Sequence, residues 1–152
     1  MRHMLANLAH QPLPDGLQAY SASLMADRAG LAGTWYAGSP QVAHHLADHI
    51  TEALVPLASF PTALALRDFH AENLLWLPKR AAERRVGLLD FQDAMVAPVG
   101  YDLISLLFDA RRDVNPVLID PLQRRYAKAL NLAAADMQTA CAVLLAQRSL
   151  RI

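Results

Sequence analysis

The chain has 152 residues, 54% of them hydrophobic, and carries 14 Lys+Arg against 14 Asp+Glu; it is long enough for one domain with a core and too apolar for a disordered tail. Charge balance without a basic stripe interleaved with aromatics argues against the phosphate contacts of a nucleic-acid binder and leaves a small molecule as the expected partner. One unpartnered cysteine, Cys141 in the apolar run 140–145, fits a reducing compartment and reads as a small buried hydrophobe. Pro12, Pro14 and Gly16 interrupt the N-terminus before a secretory apolar core can form, and no apolar stretch is long enough for a bilayer span, so the expected setting is cytoplasmic, with no membrane.

In chain order, Leu17, Tyr20, Leu24 and Leu31 recur at helical spacing and predict a helix over 17–32, ended by the glycine-rich stretch 30–38 that holds Trp35 and Tyr36. Ser39 and Pro40 form a cap and first-turn signature for a second helix, with Val42, Leu46, Ile50, Leu54 and Leu57 along one face. Residues 63–66 and 74–77, bounded by Pro61 and Pro78, read as buried strands on either side of a polar loop, with a third short strand over 86–89. Leu103, Leu106 and Leu107 mark a further helix, Asp120 and Pro121 open another through Leu130, and 134–150 makes the last. The expected class is α+β and mainly α: a helical lobe with a small hairpin that carries two polar loops. The last residues are still in helical pattern with no Gly or Asn cap, as expected of a sequence that stops within an element, its C-terminal helices truncated.

The chemistry is concentrated in Leu66-Arg67-Asp68-Phe69-His70-Ala71-Glu72-Asn73 and in Leu89-Asp90-Phe91. An Asp and an Asn five residues apart on one loop can orient an acceptor hydroxyl and hold a metal, and an Asp at the end of a later strand can hold that metal from the other side. Asp68 would accept the hydroxyl proton, while Asn73 and Asp90 would offer hard oxygen ligands to Mg²⁺ bridging the phosphates of ATP. Asp93 adds a third carboxylate, and three that approach one another repel unless a cation relieves them. Singly, each Asp could equally cap a turn. His70 lacks metal-ligand partners and is expected to brace the loop by a hydrogen bond; His3, His10, His44, His45 and His49 show no ligand pattern beyond the helical pair His45 and His49, which reads as solvated surface. Trp76 is expected in the core, and Trp35 and Tyr36 could either pack or stack on a sugar face. Arg111 and Arg112 could meet an anion or simply end a helix in solvent.

The stretch from Leu66 to Arg112 resembles the catalytic half of the aminoglycoside phosphotransferase and choline kinase superfamily, whose fold is protein-kinase-like, most specifically in Leu88-Leu89-Asp90-Phe91-Gln92-Asp93-Ala94 and Tyr101-Asp102-Leu103-Ile104-Ser105-Leu106-Leu107. Within it, the chain is most similar to bacterial sugar kinases that phosphorylate the anomeric hydroxyl of N-acetylmuramate and N-acetylglucosamine in cell-wall recycling. The resemblance implies Asp68 as catalytic base, Asn73 and Asp90 as magnesium ligands, Asp102 as a buried residue bracing the catalytic loop, and Asp93 near metal, substrate or a turn. The histidine usual two residues before the catalytic Asp is Leu66 here. No glycine-rich phosphate loop is present, and the lysines, Lys79 and Lys128, are not placed to grip nucleotide phosphates. Residues 1–152 are therefore expected to form part of a large C-terminal lobe, with the nucleotide-binding N-lobe missing and the isolated chain inactive. Two alternatives are a non-catalytic binding module and an aminoglycoside or choline/homoserine-type kinase. A Ser/Thr protein kinase is disfavoured because no closing Ala-Pro-Glu block follows Asp90.

Overall fold

The computed structural model describes residues 4–151. Helix α1 (Met4–Ala9) is followed by α2 (Ala22–Trp35) and α3 (Pro40–Leu54), then by strands β1 (Thr62–Ala65), β2 (Leu74–Trp76), β3 (Val86–Leu88) and β4 (Met95–Pro98), and finally by α4 (Tyr101–Leu107), α5 (Ile119–Ala129) and α6 (Ala134–Leu150).

The strands form two antiparallel pairs rather than one sheet: β1 with β4, and β2 with β3. The polar loop 66–73 thus leaves one pair and enters the other. β4 escaped the sequence reading because Met95–Pro98 is short and ends in proline, which is tolerated at an edge. The first pair is buried at Ala63, Ala65, Met95 and Ala97. The second is a ribbon with one packed face, and here the expectation of a buried strand and a core tryptophan fails: Leu75 is 47% and Trp76 59% exposed. Two strands alone offer a core only one side, taken by Leu74, Val86 and Leu88, and Leu75 alternates to the other; Trp76 is on the packed side, opposite Val86, but at the end of β2.

The predicted helix over 17–32 begins five residues late. Ser21 accepts the Leu24 N–H at 3.2 Å and caps α2, while 18–20 run extended beside β4, with Tyr20 N–H donating to the Val96 carbonyl at 2.7 Å. Leu17 and Tyr20 share the spacing of the helix without belonging to it. Trp35 and Tyr36 close α2 at 74% and 82% exposure, which rules out the packing alternative. Ser39 caps α3 as expected, through the Val42 N–H at 3.3 Å.

The main core joins α2, α3, β1, β4, α4 and α6 around Met25, Ala29, Ile104, Met137, Ala140 and Leu144, all essentially inaccessible to water. Cys141 lies within it, its thiol pKa pushed up to about 12 by burial. A smaller cluster of Met4, Leu66, Phe69 and Val86 sits beneath the polar loop. Among the described residues no single helix is long and apolar enough to cross a membrane.

Candidate active site

The loop after β1 is shaped by a buried carboxylate on α4. Asp102 accepts the Leu66 N–H at 2.7 Å and the Arg67 N–H at 3.0 Å. Those two bonds hold Arg67 in the left-handed region, φ 68°, a conformation that costs an ordinary residue on the order of 1 kcal/mol and needs such support. Burial pushes the Asp102 pKa up to about 6; the two N–H groups and Arg148 work in the other direction without cancelling it. Leu66 contributes its side chain to the apolar cluster below the loop, so the position where a histidine is usual serves packing here.

Past this turn, Asp68 is a third exposed, and the chain winds into a 3-10 turn over Ala71–Asn73. The Asn73 Nδ2 amide gathers the loop: it donates to the Asp68 carbonyl at 2.9 Å, lies 3.2 Å from His70 Nε2, and reaches Asp90 Oδ2 at 3.5 Å. None of these contacts uses Asn73 Oδ1. His70 is buried, and its Nδ1 has no partner among the described residues.

Asp90 comes from the end of β3. The Leu89 N–H donates to the Asn73 carbonyl at 3.0 Å, which extends the β2 and β3 pairing by one step and brings the two loops into register. Asp90 itself is left-handed, φ 55°, a region in which Asp is enriched, and the Gln92 Nε2 amide also donates to its carboxylate. Asp93 behaves differently: its carbonyl accepts from Arg67 Nη1 at 3.3 Å, while its side chain is on the exposed surface.

The cluster therefore joins Asp68, Asn73 and Asp90, with His70 and Asp102 bonded to its loops and Asp93 attached through its backbone. An amide oxygen and a carboxylate side by side are hard donors, and Mg²⁺ takes one or two such protein groups with waters and phosphate oxygens completing its shell; the pair fits that ion. No group of three His, Cys, Asp or Glu able to enclose a metal occurs among the described residues, and the helical histidines instead pair with acids, His44 with Asp48 at 3.5 Å and His49 with Glu52 at 3.8 Å. His3 lies outside the described residues.

Two contacts were not foreseen. Asp109, in the turn after α4, is buried, which disfavours its charge, yet bonds from the Arg111 N–H and guanidinium and from the Ala71 N–H hold its pKa below the usual carboxylate range. Arg111 also faces Glu72 at 3.7 Å, so this turn is tied to the loop 66–73, and the half-exposed Arg111 side chain meets protein carboxylates as well as solvent. The other is Arg151, whose Nη2 lies 3.0 Å from Asp68 Oδ1. Neither has a local signal in sequence, because each partner is distant along the chain.

The model of the phosphotransferase enzyme family matches residues 3–139, and the chain belongs to that family. An N-acetylmuramate/N-acetylglucosamine kinase of Caulobacter vibrioides is 58% identical to it over 55 residues, which are 36% of this chain and 15% of the relative. A protein of the same description from Neisseria meningitidis serogroup B is 46% identical over 57 residues, 38% of this chain and 16% of the relative. The matched stretch thus spans about a sixth of either relative's length.

Proposed function

We propose that this chain supplies the acceptor and metal side of an ATP- and Mg²⁺-dependent small-molecule kinase, with an amino sugar of the N-acetylmuramate and N-acetylglucosamine type as acceptor. The observation that carries the reading is the meeting of two loops, in which one asparagine amide bridges the backbone of Asp68 and the carboxylate of Asp90. In this reading Asp68 orients the acceptor hydroxyl and takes its proton, and Asn73 Oδ1 with Asp90 holds Mg²⁺, which neutralises charge on the phosphates when bound. His70 and Asp102 set the loop, and Asp93 contributes through its backbone contact with Arg67. Phosphoryl transfer asks the protein mainly for alignment and electrostatics, so loops pinned at this many points suit it.

The donor side is assigned elsewhere. Lys79 and Lys128 are both exposed, on the turn after β2 and near the end of α5, and neither bonds to the cluster. The proposal therefore treats 1–152 as part of the large lobe of a protein-kinase-like fold, inactive without an N-lobe to hold the nucleotide, and acting in the cytoplasm in cell-wall recycling. The lysine positions also favour the second reading, a binding module without catalysis. An assay of the gene product that carries this chain separates the two. ATP-dependent phosphorylation of an amino sugar is expected, with Asp68→Asn lowering kcat about 10²-fold or more, the usual scale for loss of a general base. Unchanged turnover in that variant would remove Asp68 from its role, and the absence of turnover with any hydroxyl acceptor would favour the binding module.

A further inference from the structure

Three arginines, Arg67 beside Asp68 in the loop and Arg148 and Arg151 at the end of α6, gather around Tyr101, and one of them reaches Asp68. Arg151 follows the last turn of α6 and pairs with the Asp68 carboxylate; Arg148 donates from Nε to Ser105 Oγ at 2.7 Å; and the Arg67 guanidinium lies 5.3 Å from the centre of the Tyr20 ring. Gln147 closes the seam, its Nε2 donating to Tyr20 Oη at 3.1 Å and to the Met25 carbonyl at 3.0 Å, and Tyr20 meets Tyr101 edge to face with ring centres 5.6 Å apart. The carboxylates facing this group are Asp68 and Asp102, and both oxygens of Asp102 are already taken by backbone N–H groups. Three guanidinium groups against two carboxylates leave a positive surplus, in a chain whose formal net charge is zero.

The polar atoms left over have a pattern. Arg151 Nη1, Arg67 Nε, Tyr101 Oη and Gln147 Oε1 are all buried without a hydrogen-bond partner among the described residues. A buried unpaired N–H is costly, and a concentration of them calls for a missing partner. Two guanidinium donors, a phenol and one amide oxygen match an oxyanion that also carries hydroxyl groups. Arg151 is the member that touches the site itself. With its Nη2 on one oxygen of Asp68, an acceptor hydroxyl brought to the other oxygen has the guanidinium beside it.

We propose that Arg151, supported by Arg67, is the specificity-determining residue that recognises an acid group on the acceptor, so that the site prefers a carboxylated sugar to its neutral counterpart. The inference rests on the placement of the acceptor at Asp68 given above. Arginine suits the role because its planar fork can hold Asp68 with one nitrogen and a second carboxylate with the other, which lysine cannot do.

Titration of the ¹⁵N-labelled chain with N-acetylmuramate, which carries a lactyl carboxylate, with N-acetylglucosamine, which lacks it, and with inorganic phosphate tests the proposal by NMR. Both sugars are expected to shift the amides of 68–73, with N-acetylmuramate binding more tightly. Arg151→Gln is expected to weaken N-acetylmuramate about tenfold and N-acetylglucosamine less than twofold, and Arg151→Lys to recover part of the loss. A thermal melt of each variant separates the effect from unfolding. Equal weakening of both sugars, or none, overturns the acid-reading role while leaving Asp68 as the acceptor site. Loss of phosphate binding alone would assign Arg151 to the transferred phosphoryl group and overturn it too. Sugars that leave 68–73 unperturbed would refute the acceptor site, and the inference with it.

Discussion

Asp102 shows how one side chain can govern a site it does not touch. Its carboxylate holds two successive N–H groups, forces Arg67 into a left-handed turn, and so presents Asp68. The cost is electrostatic, since burial raises the folded pKa to about 6 from the ordinary 3.8. The native chain therefore binds this proton more tightly than the unfolded chain between about pH 4 and 6. The carboxyl's contribution to stability falls as pH rises through that window and is level above it, a change on the order of 2–3 kcal/mol. Asp109 has the opposite sign: its pKa is held low, so its contribution is present above the unfolded value and is lost on acidification below the window of Asp102. Melting temperature measured against pH is thus expected to decline from pH 4 to 6, and Asp102→Asn to flatten that decline. An equal slope in the variant would show that another group titrates there.

Among the elements, the packing of α2 on α3 is the tightest constraint. A Cβ built on Gly33 would lie 2.2 Å from the Ala43 nitrogen and 2.4 Å from its Cα, and these are backbone atoms that cannot turn aside. Gly33→Ala is expected to destabilise the chain by about 3 kcal/mol or more, because overpacking that displaces a helix exceeds the usual range for a core substitution. Denaturant unfolding would register this as a fall in midpoint, and an unchanged midpoint would mean that the helices are not in such close contact. Gly33 was read from sequence only as part of a helix-ending run, since close approach of two backbones leaves no local mark. Local signals did serve elsewhere. The Ser39 and Pro40 cap placed the start of α3, the apolar spacing of Leu103, Leu106 and Leu107 located α4, and the Asp120 and Pro121 start signal located α5. The failures occurred where tertiary pairing decides: 18–20 run as an extended segment against β4, and β2, expected to be buried, pairs with β3 in a ribbon that leaves Leu75 and Trp76 exposed.

At the scale of the molecule, the chain places two short loops at the junction of its two strand pairs, the first braced from the helix α4 and the turn that follows it. The loop residues were legible because their chemistry is written in consecutive letters, Arg67-Asp68-Phe69-His70 and Leu89-Asp90-Phe91. What holds them was legible only in part: Asp102 was expected as a brace, but Asp109 and Arg151 act across 37 or more intervening residues, where sequence carries no short-range pattern. Membership of the phosphotransferase enzyme family fits this division, a local motif on a scaffold of long-range supports.

In the proposed site, the loops ending at Asn73 and Asp90 together hold one hard divalent cation. Titration of the ¹⁵N-labelled chain with Mn²⁺, as a paramagnetic substitute for Mg²⁺, tests it most directly. Selective broadening of amides in 68–73 and 89–93 is expected, and Asp90→Ala should abolish it. Broadening centred on other carboxylates, or unchanged in that variant, would contradict the account.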